Sequence, residues 1–554
     1  MGTPVPAAPP APAATRGSRA RKATRLRAPA RARPRAAFWW RVAPAIAALV
    51  ISIVYLIVEP RTVDLAAAVY RARLFDHAGF TIWDGNWYGG HYTLGYSLLF
   101  PPLAWLLTPL GLGAVAAVAS AALFEPLVHA HFGPSARWGA LWFGVGATTP
   151  LISGRIAFGL GVALGLGALL ARQRDRPVLA IALAVGCALA SPVAGAFLAL
   201  AAIAYALAGH LKAGLALALA ALTPIVLLAL MFPAGGREPF AKTAFMPIPI
   251  LALLFAYVMP RRERALRIGA LLYAVAGCAA LLIHSPMGGN AVRLGSLVAG
   301  PIVAAALLGR GRRVGALPVI LMVAFAVWQL SAPARDVNKA LEDPSVNASY
   351  YRPLLDHLSV ADHDRARIEI PFTRSHWEAA EVGPHFPLAR GWERQADIER
   401  NGLFYDGVLN AVTYATWLTE HGVRFVALPD AKPDYSAYTE RALIESGLPY
   451  LKLTWRSEHW RVYKVTLPHP MVVPRGDARM TLGRAGLDYV KLLVARPGEA
   501  TVRVTWSPYW RAPKGACVER AGDWTRVIAR RPGPLRLTID FDPARVVSHG
   551  RRCS

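Results

Sequence analysis

The sequence predicts an α-helical polytopic membrane domain joined to a polar C-terminal portion, first α/β and then β-sandwich in character. Apolarity is the first observation behind this: only 17% of the 554 residues are charged, and the mean hydropathy is +0.34. A soluble chain carries nearer about 25% charged residues and does not string apolar runs of about 17–25 residues along more than half its length. The second observation is that positive charge collects in a tail and in short loops between those runs. The third is an abrupt change near Ser331, beyond which the chain is polar and rich in Tyr, Trp and Pro.

Residues 1–37 read as a disordered basic tail on the cytoplasmic side. From Met1 to Arg41 there are ten Arg and Lys and no acid, and an Ala/Pro/Arg-rich stretch buries too little apolar surface to fold. The net charge of +27 and pI near 10.5 therefore speak for topology-setting charge and contact with anionic membrane lipids, and not for nucleic acid. Phe38–Val58 is the first span. No small-residue cleavage site follows a short apolar core, so this span is expected to stay as an anchor.

Further apolar runs cover 111–130, 137–151, 156–171, 178–191, 193–209, 213–231, 244–259, 267–284, 292–308 and 314–331. The basic clusters Arg172–Arg176, Arg261–Arg264 and Arg310–Arg313 all fall on the cytoplasmic side if the segment 96–108 lies in the interface and does not cross. Pro101-Pro102 makes that segment a poor ordinary helix in any case. The expectation is about eleven spans in a domain at 38–331, with a long external loop at 59–110.

With that parity the polar remainder lies outside the cytoplasm of a plasma (inner) membrane protein. Residues 332–469 read as α/β: helix over Tyr414–Glu420, a buried strand over Val423–Pro429 and an alternating strand over Trp460–Val465. Residues 470–554 alternate at period two over Ala500–Trp506 and Leu535–Phe541, as a small β-sandwich would. Cys187 and Cys278 lie in apolar runs as packed small residues. A disulfide between Cys517 and Cys553 is open to a non-cytoplasmic domain.

The external loop gathers acids, His, Tyr and Trp more densely than anything else in the membrane half. It begins Glu59-Pro60-Arg61-Thr62-Val63-Asp64 and continues through a helix-like run, Leu65–Gly79. The aromatic, Gly-rich stretch Trp83–Tyr92 follows, and then Gly95-Tyr96-Ser97 and Pro101-Pro102-Leu103. Asp64 sits just past a span end, at the membrane–water boundary, where a carboxylate meets both a lipid-borne phosphate and a water-side hydroxyl. Its plain alternative is N-cap of the helix beginning at Leu65. Asp84 is the second candidate, as acceptor-positioning group or metal helper, against a simple Asp-Gly-Asn turn. Tyr88 and His91 are candidates to hydrogen-bond a sugar or phosphate; Trp83, Trp87, Tyr88 and Tyr92 also suit an interfacial aromatic belt.

Cations for an anionic ligand are expected from three other loops on the same face: Arg155, then Arg237 and Lys242 (with Glu238 between them), then Asn290 and Arg293. Each alone reads equally as a snorkelling span end; together they make an anion-binding rim. The loop holds no Asp-x-Asp, so the sequence requires no metal or other cofactor, and Asp362-His363-Asp364 reads as a solvated loop. Glu125, inside an apolar run beside Pro126, carries a functional label by default.

In this order an early span, an acid, a juxtamembrane helix, a Trp/Gly/Tyr stretch and a Pro-Pro-Leu element resemble the first external loop of the GT-C glycosyltransferases. Asp64, Leu65–Gly79, Trp83–Gly90 and Pro101-Pro102-Leu103 carry the resemblance, and a soluble domain after the last span fits it. The match covers most of the chain as architecture but only about forty residues as motif. It implies an inverting sugar transfer from a polyprenyl-phosphate-sugar donor to a glycan or lipid acceptor of the cell envelope, with Asp64 as general base. High Ala and Arg usage suggests a GC-rich bacterial source. Two readings of other classes stand beside it. One is a transporter or flippase of an envelope precursor. The other is a non-catalytic scaffold whose Trp377, Trp392, Trp506 and Trp510 bind glycan.

Overall fold

Proline opens many of the helices, where its missing N–H leaves no bond unmade and its fixed φ suits the first turn. The computed structural model describes residues 1–3, 34–233, 235–308, 314–361, 366–548 and 553. The expected disorder of the basic tail (4–33), the Arg310–Arg313 cluster and the Asp362-His363-Asp364 loop lie outside these residues.

The helical half begins with α1 (Pro34–Val58), α2 (Val63–Ala78), α3 (Phe100–Leu107), α4 (Pro109–Phe132), α5 (Arg137–Gly146), α6 (Thr149–Ile152) and α7 (Ile156–Gln173). It continues with α8 (Pro177–Ala190), α9 (Pro192–Leu207), α10 (Leu211–Met231), α11 (Lys242–Phe245), α12 (Pro247–Val258), α13 (Arg264–Leu282), α14 (Val292–Leu307) and α15 (Ala316–Leu341). Seven helical stretches among the described residues are long and apolar enough to cross a membrane. They are Phe38–Val58, the broken Pro109–Ile152, α7, α10, α13, Gly288–Leu307 and α15. The expected count of about eleven is not confirmed by that criterion, because α8, α9 and the α11–α12 segment are apolar but short and Pro109–Ile152 counts as one stretch.

The segment expected to lie in the interface is α3. It has eight residues, Pro101 and Pro102 in its first turn, and Trp105, Leu106 and Leu107 exposed. Such a helix is too short to cross. The last apolar helix does not stop at Ser331 but runs on to Leu341. Among the two free cysteines, Cys187 is packed as expected, whereas Cys278 is on the outer surface of α13.

The C-terminal part holds a mixed four-stranded sheet, built from β3 (Arg367–Glu369), β4 (Val423–Pro429), β5 (Leu451–Arg456) and β6 (Trp460–Val465) in the order β3-β4-β6-β5. These follow a hairpin in the loop after α2, β1 (Trp83–Asp84) with β2 (His91–Tyr92). Beyond β6 come β7 (Val472–Pro474), β8 (Arg479–Ala485), β9 (Tyr489–Arg496), β10 (Gly498–Thr505), β11 (Trp510–Arg511), β12 (Ala516–Ala521), β13 (Trp524–Ala529) and β14 (Gly533–Ile539). They form two sheets, β12-β13-β10-β7 and β11-β14-β9-β8. Alternate residues Val490, Leu492, Val494, Leu535 and Leu537 of one sheet meet Ala500, Val502 and Val527 of the other in one core, the packing that a period-two pattern specifies. Cys517 on β12 is disulfide-bonded to Cys553 (Cα–Cα 6.0 Å).

The two halves share a core. One buried cluster runs from Leu112 and Ile156 of the helical half, through Leu65 and Tyr70 on α2, to Trp377, Trp392 and Trp460 of the C-terminal part. Helix α2 is thus buried on most of its circumference, as a helix sandwiched between two bodies must be.

Candidate functional site

Asp64 lies in the first turn of α2, which begins at Val63 with Thr62 as the flanking residue. Its carboxylate caps nothing. Instead Oδ2 accepts a hydrogen bond from Arg155 Nε at 2.9 Å. The pair is exposed by about a third on each side chain, 36% for Asp64 and 31% for Arg155, so a ligand can reach it. Arg155 is the last residue before α7, and its amide bonds to Pro150 O at 2.7 Å, which fixes the turn after α6. Gly154 in that turn has φ +74° and packs directly against the Asp64–Leu65 backbone.

Burial works to raise the Asp64 carboxyl, but Arg155 and then Arg293 outweigh it and hold the group below the ordinary carboxylate value. Asp64 is therefore ionised at neutral pH. Arg293, at the start of α14, lies within electrostatic reach of Asp64, Arg155, Tyr96 and Glu238 and over the Phe158 ring at 5.4 Å. It makes no ion pair among the described residues. The centre therefore has one acid–base pair and a further cation beside it, the arrangement of an anion site.

Two residues outside the expected set complete this wall. Arg71 lies two turns along α2 from Asp64, on the same face. It pairs with Glu393 of the C-terminal part, and its guanidinium lies 3.8 Å from the centre of the Tyr96 ring. Tyr96 in turn is within reach of Asp64 and Arg293. The i,i+7 spacing of Asp64 and Arg71 was readable in the sequence; the Tyr96 contact depends on the fold of the loop.

Of the three loops expected to supply cations, the second supplies an acid. Arg237 and Lys242 are exposed, and no ion pair of either is found among the described residues. Arg237 N bonds to Gln395 O at 3.0 Å and Glu238 N to Ser285 O at 3.1 Å, and this clamp turns Glu238 inward. Burial pushes its carboxyl up to about 7, although Arg293 opposes the rise. Asn290 spends its side-chain amide on Pro286 O at 3.1 Å, closing its own turn. Asp336, on the extension of α15, also lies within reach of Arg155 and Asp64.

The C-terminal part forms the remaining side. Trp377 Nε1 donates to Arg61 O at 3.2 Å and Trp392 Nε1 to Val63 O at 3.1 Å, so two tryptophans hold the backbone that leads into Asp64. His376 is stacked on Trp392 at 3.5 Å and adds to the field on Asp64. Arg394 forks onto Asp434 at 2.9 and 2.8 Å and lies within reach of Glu238.

The structure places the aromatic stretch elsewhere. Asp84 is fully buried: Oδ2 accepts from Tyr70 Oη at 2.7 Å and Oδ1 from Asn86 N at 2.9 Å. It serves the β1–β2 turn and not a surface reached by ligand. His91 is stacked on Trp87, 3% exposed, and burial lowers its pKa so that it is neutral. Tyr88 Oη donates to Gly391 O and accepts from Glu393 N at 3.1 Å. Trp83, Trp87, Tyr88 and Tyr92 are all buried, Trp83 and Tyr92 against Trp510 and Tyr509. These rings join two parts of the protein and do not form a lipid-facing belt. Trp377, Trp392 and Trp510 are buried as well, which removes three of the four rings considered for a glycan platform.

Glu125 is buried in α4, 3.7 Å from His129 one turn on, at a distance along the helix from the Asp64 centre. Among the described residues no group of three or more His, Cys, Asp and Glu is placed to hold a metal ion. No protein-family model matches the chain, and the curated proteins contain no match to it.

Proposed function

We propose that this chain is a membrane-embedded glycosyltransferase that moves a sugar from a polyprenyl-phosphate donor to a cell-envelope acceptor, with inversion, in the manner of the GT-C enzymes it resembles. The observation that carries the reading is the Asp64–Arg155 pair with the uncompensated Arg293 beside it, at a helix end and open to ligand. The donor's phosphate would draw Arg155 and Arg293, and freeing Asp64 from its partner raises its basicity at the moment a base is needed. The acceptor hydroxyl then attacks the anomeric carbon and its proton passes to Asp64. The bond from that carbon to the phosphate oxygen breaks, and the electron pair leaves with the polyprenyl phosphate. The leaving group is already anionic, so cations serve it better than an acid.

In this reading the Asp64 end of the helices faces away from the cytoplasm, with the C-terminal part on the same side. The spans then number eleven: the seven long stretches, the three short apolar helices, and one more because the turn at Gly133–Ala136 divides Pro109–Ile152 in two. A transport reading draws on a long cavity among the helices, described below, but the ionisable groups gather at one end of it and not at mid-depth.

The test is Asp64→Asn in the full chain. Expected is unchanged membrane insertion and thermal stability, with transfer from a polyprenyl-phosphate sugar reduced by about three orders of magnitude or more, the scale lost with a general base. Full transfer by that variant removes the mechanism.

A further inference from the structure

A long cavity among the helices does not contain Asp64 in its lining. It has a volume of about 790 Å³ and follows one face of α7 from Phe158 to Gln173, between α4, α9, α12 and α13. That volume is in the range of about 300–1,000 Å³ that holds specific small molecules. The fifteen helical steps from Phe158 to Gln173 make it about 22 Å long, and its walls are almost wholly apolar, with Leu166, Leu198 and Phe255 among them.

Its far end is different. There Arg172, His131, Arg262, Glu263 and Arg264 form the lining. Glu263 is already spent: Oε2 meets His131 Nε2 at 2.6 Å and Oε1 accepts from Arg262 Nε at 3.1 Å. Arg264 has no ion pair among the described residues. Arg172 reaches Asp175 through Nη1 at 3.0 Å, while its Nε is buried with no hydrogen-bond partner among the described residues. An apolar tunnel whose one mouth carries cations in excess of acids suits an amphiphile with long chains and an anionic head.

We propose that this cavity is a binding site for an anionic phospholipid, taken from the leaflet at the basic mouth, with its phosphate at Arg172, Arg262 and Arg264 and an acyl chain along α7. Arg155 precedes α7 and Arg293, on α14, lies over Phe158 at that same opposite end, so a head held here does not reach Asp64. The head-group position is thus separate from the proposed donor site and does not rest on it.

The experiment is native mass spectrometry and lipid extraction of the full chain purified in mild detergent. Wild type is expected to retain an anionic phospholipid in preference to zwitterionic ones. The double variant Arg262→Glu/Arg264→Glu should retain about tenfold less or lower still, since each basic charge near a membrane surface is worth about fivefold. Ala270→Trp, which fills the cavity from α13 without touching the charges, should also lose the lipid. Asp64→Asn should keep it, which separates failure of this site from failure of the transfer reaction. The proposal is overturned if wild type holds no lipid, if retention is equal in all variants, if zwitterionic lipid is retained as well as anionic, or if the retained lipid is a polyprenyl phosphate.

Discussion

Gly154 lies so close to Leu65 that a Cβ built on it would stand 2.3 Å from the Leu65 amide nitrogen. Its φ of +74° is in any case a region that side chains avoid. This contact brings the turn carrying Arg155 against the first turn of α2, and so sets the distance between Arg155 and Asp64. Gly154→Ala must move backbone, not a flexible side-chain tip. Expected is a loss of about 1–3 kcal/mol, the usual strain of such a site. Transfer should be lost even in preparations that remain folded. Thermal unfolding in detergent and a transfer assay, run on the same sample, check both.

Arg293 makes no ion pair among the described residues, although Asp64 and Glu238 lie within electrostatic reach of it. Replacing it by Ala should lower kcat/KM for the phosphate-bearing donor by about 10–100-fold, the worth of a charged hydrogen bond of about 1.5–3 kcal/mol. Arg293→Lys should recover part of that loss, because charge without the planar fork still attracts phosphate. Steady-state kinetics with varied donor give the answer, and an unchanged kcat/KM in the Ala variant would remove Arg293 from the site.

Glu238 makes the site sensitive to pH from the alkaline side. Its carboxyl is raised to about 7 by burial, so below that pH it is neutral, and as pH rises through it a negative charge appears beside Arg293. A new anion there opposes an anionic donor. Donor affinity should therefore fall as pH climbs from about 6 to 8, and Glu238→Gln should flatten that fall. Asp64, whose value is depressed, stays ionised across this window and does not contribute to it. A donor KM measured against pH for both proteins decides the point.

Arg390 sets the stability of the mixed-sheet region. It is fully buried, 2.7 Å from Asp397, 3.4 Å from Glu440 and 3.8 Å from Glu369, so three carboxylates share one guanidinium. Burial, then the neighbouring Glu440 charge, pushes Glu369 well up, and burial raises Glu440 to about 7. Raised acids stabilise at low pH and lose that contribution as pH rises through their folded values. The unfolding temperature should accordingly fall as pH rises from about 4.5 through about 7. Arg390→Met leaves the acids without a counter-charge and should cost about 3–5 kcal/mol. Thermal melts of the wild type and the variant across that range test both statements.

Sequence patterns exposed some of this centre and hid the rest for physical reasons. Asp64, Arg155 and Arg293 were readable because each lies at an apolar run's end, and counting crossings puts those ends on one face. The strands Val423–Pro429 and Trp460–Val465 appear where alternation and a His-Gly break placed them. Asp84, Tyr88 and His91 drew attention through composition alone. Distant parts of the chain close over this stretch, Trp510 on Trp83, Leu487 on Gly85 and Glu393 on Tyr88, and local pattern carries no sign of that. Glu238 shows the same limit at short range. Arg237, Glu238 and Lys242 are neighbours, and only the bonds to Gln395 and Ser285 decide which of them turns inward. Helices α8 and α9 begin at Pro177 and Pro192, one residue before the apolar runs 178–191 and 193–209, whereas α12 begins at Pro247, three residues into the run 244–259.

The tryptophan clasp on residues 61–63 also orders events in the life of the molecule. Trp377 and Trp392 are made more than three hundred residues after the backbone they grip. A ribosome that has released only the hydrophobic helices has therefore produced Asp64 and Arg155 without the support that holds them in register. On the proposed reading, competence for chemistry comes late, once the final third has emerged and folded, and partly built chains should stay inert toward the lipids around them.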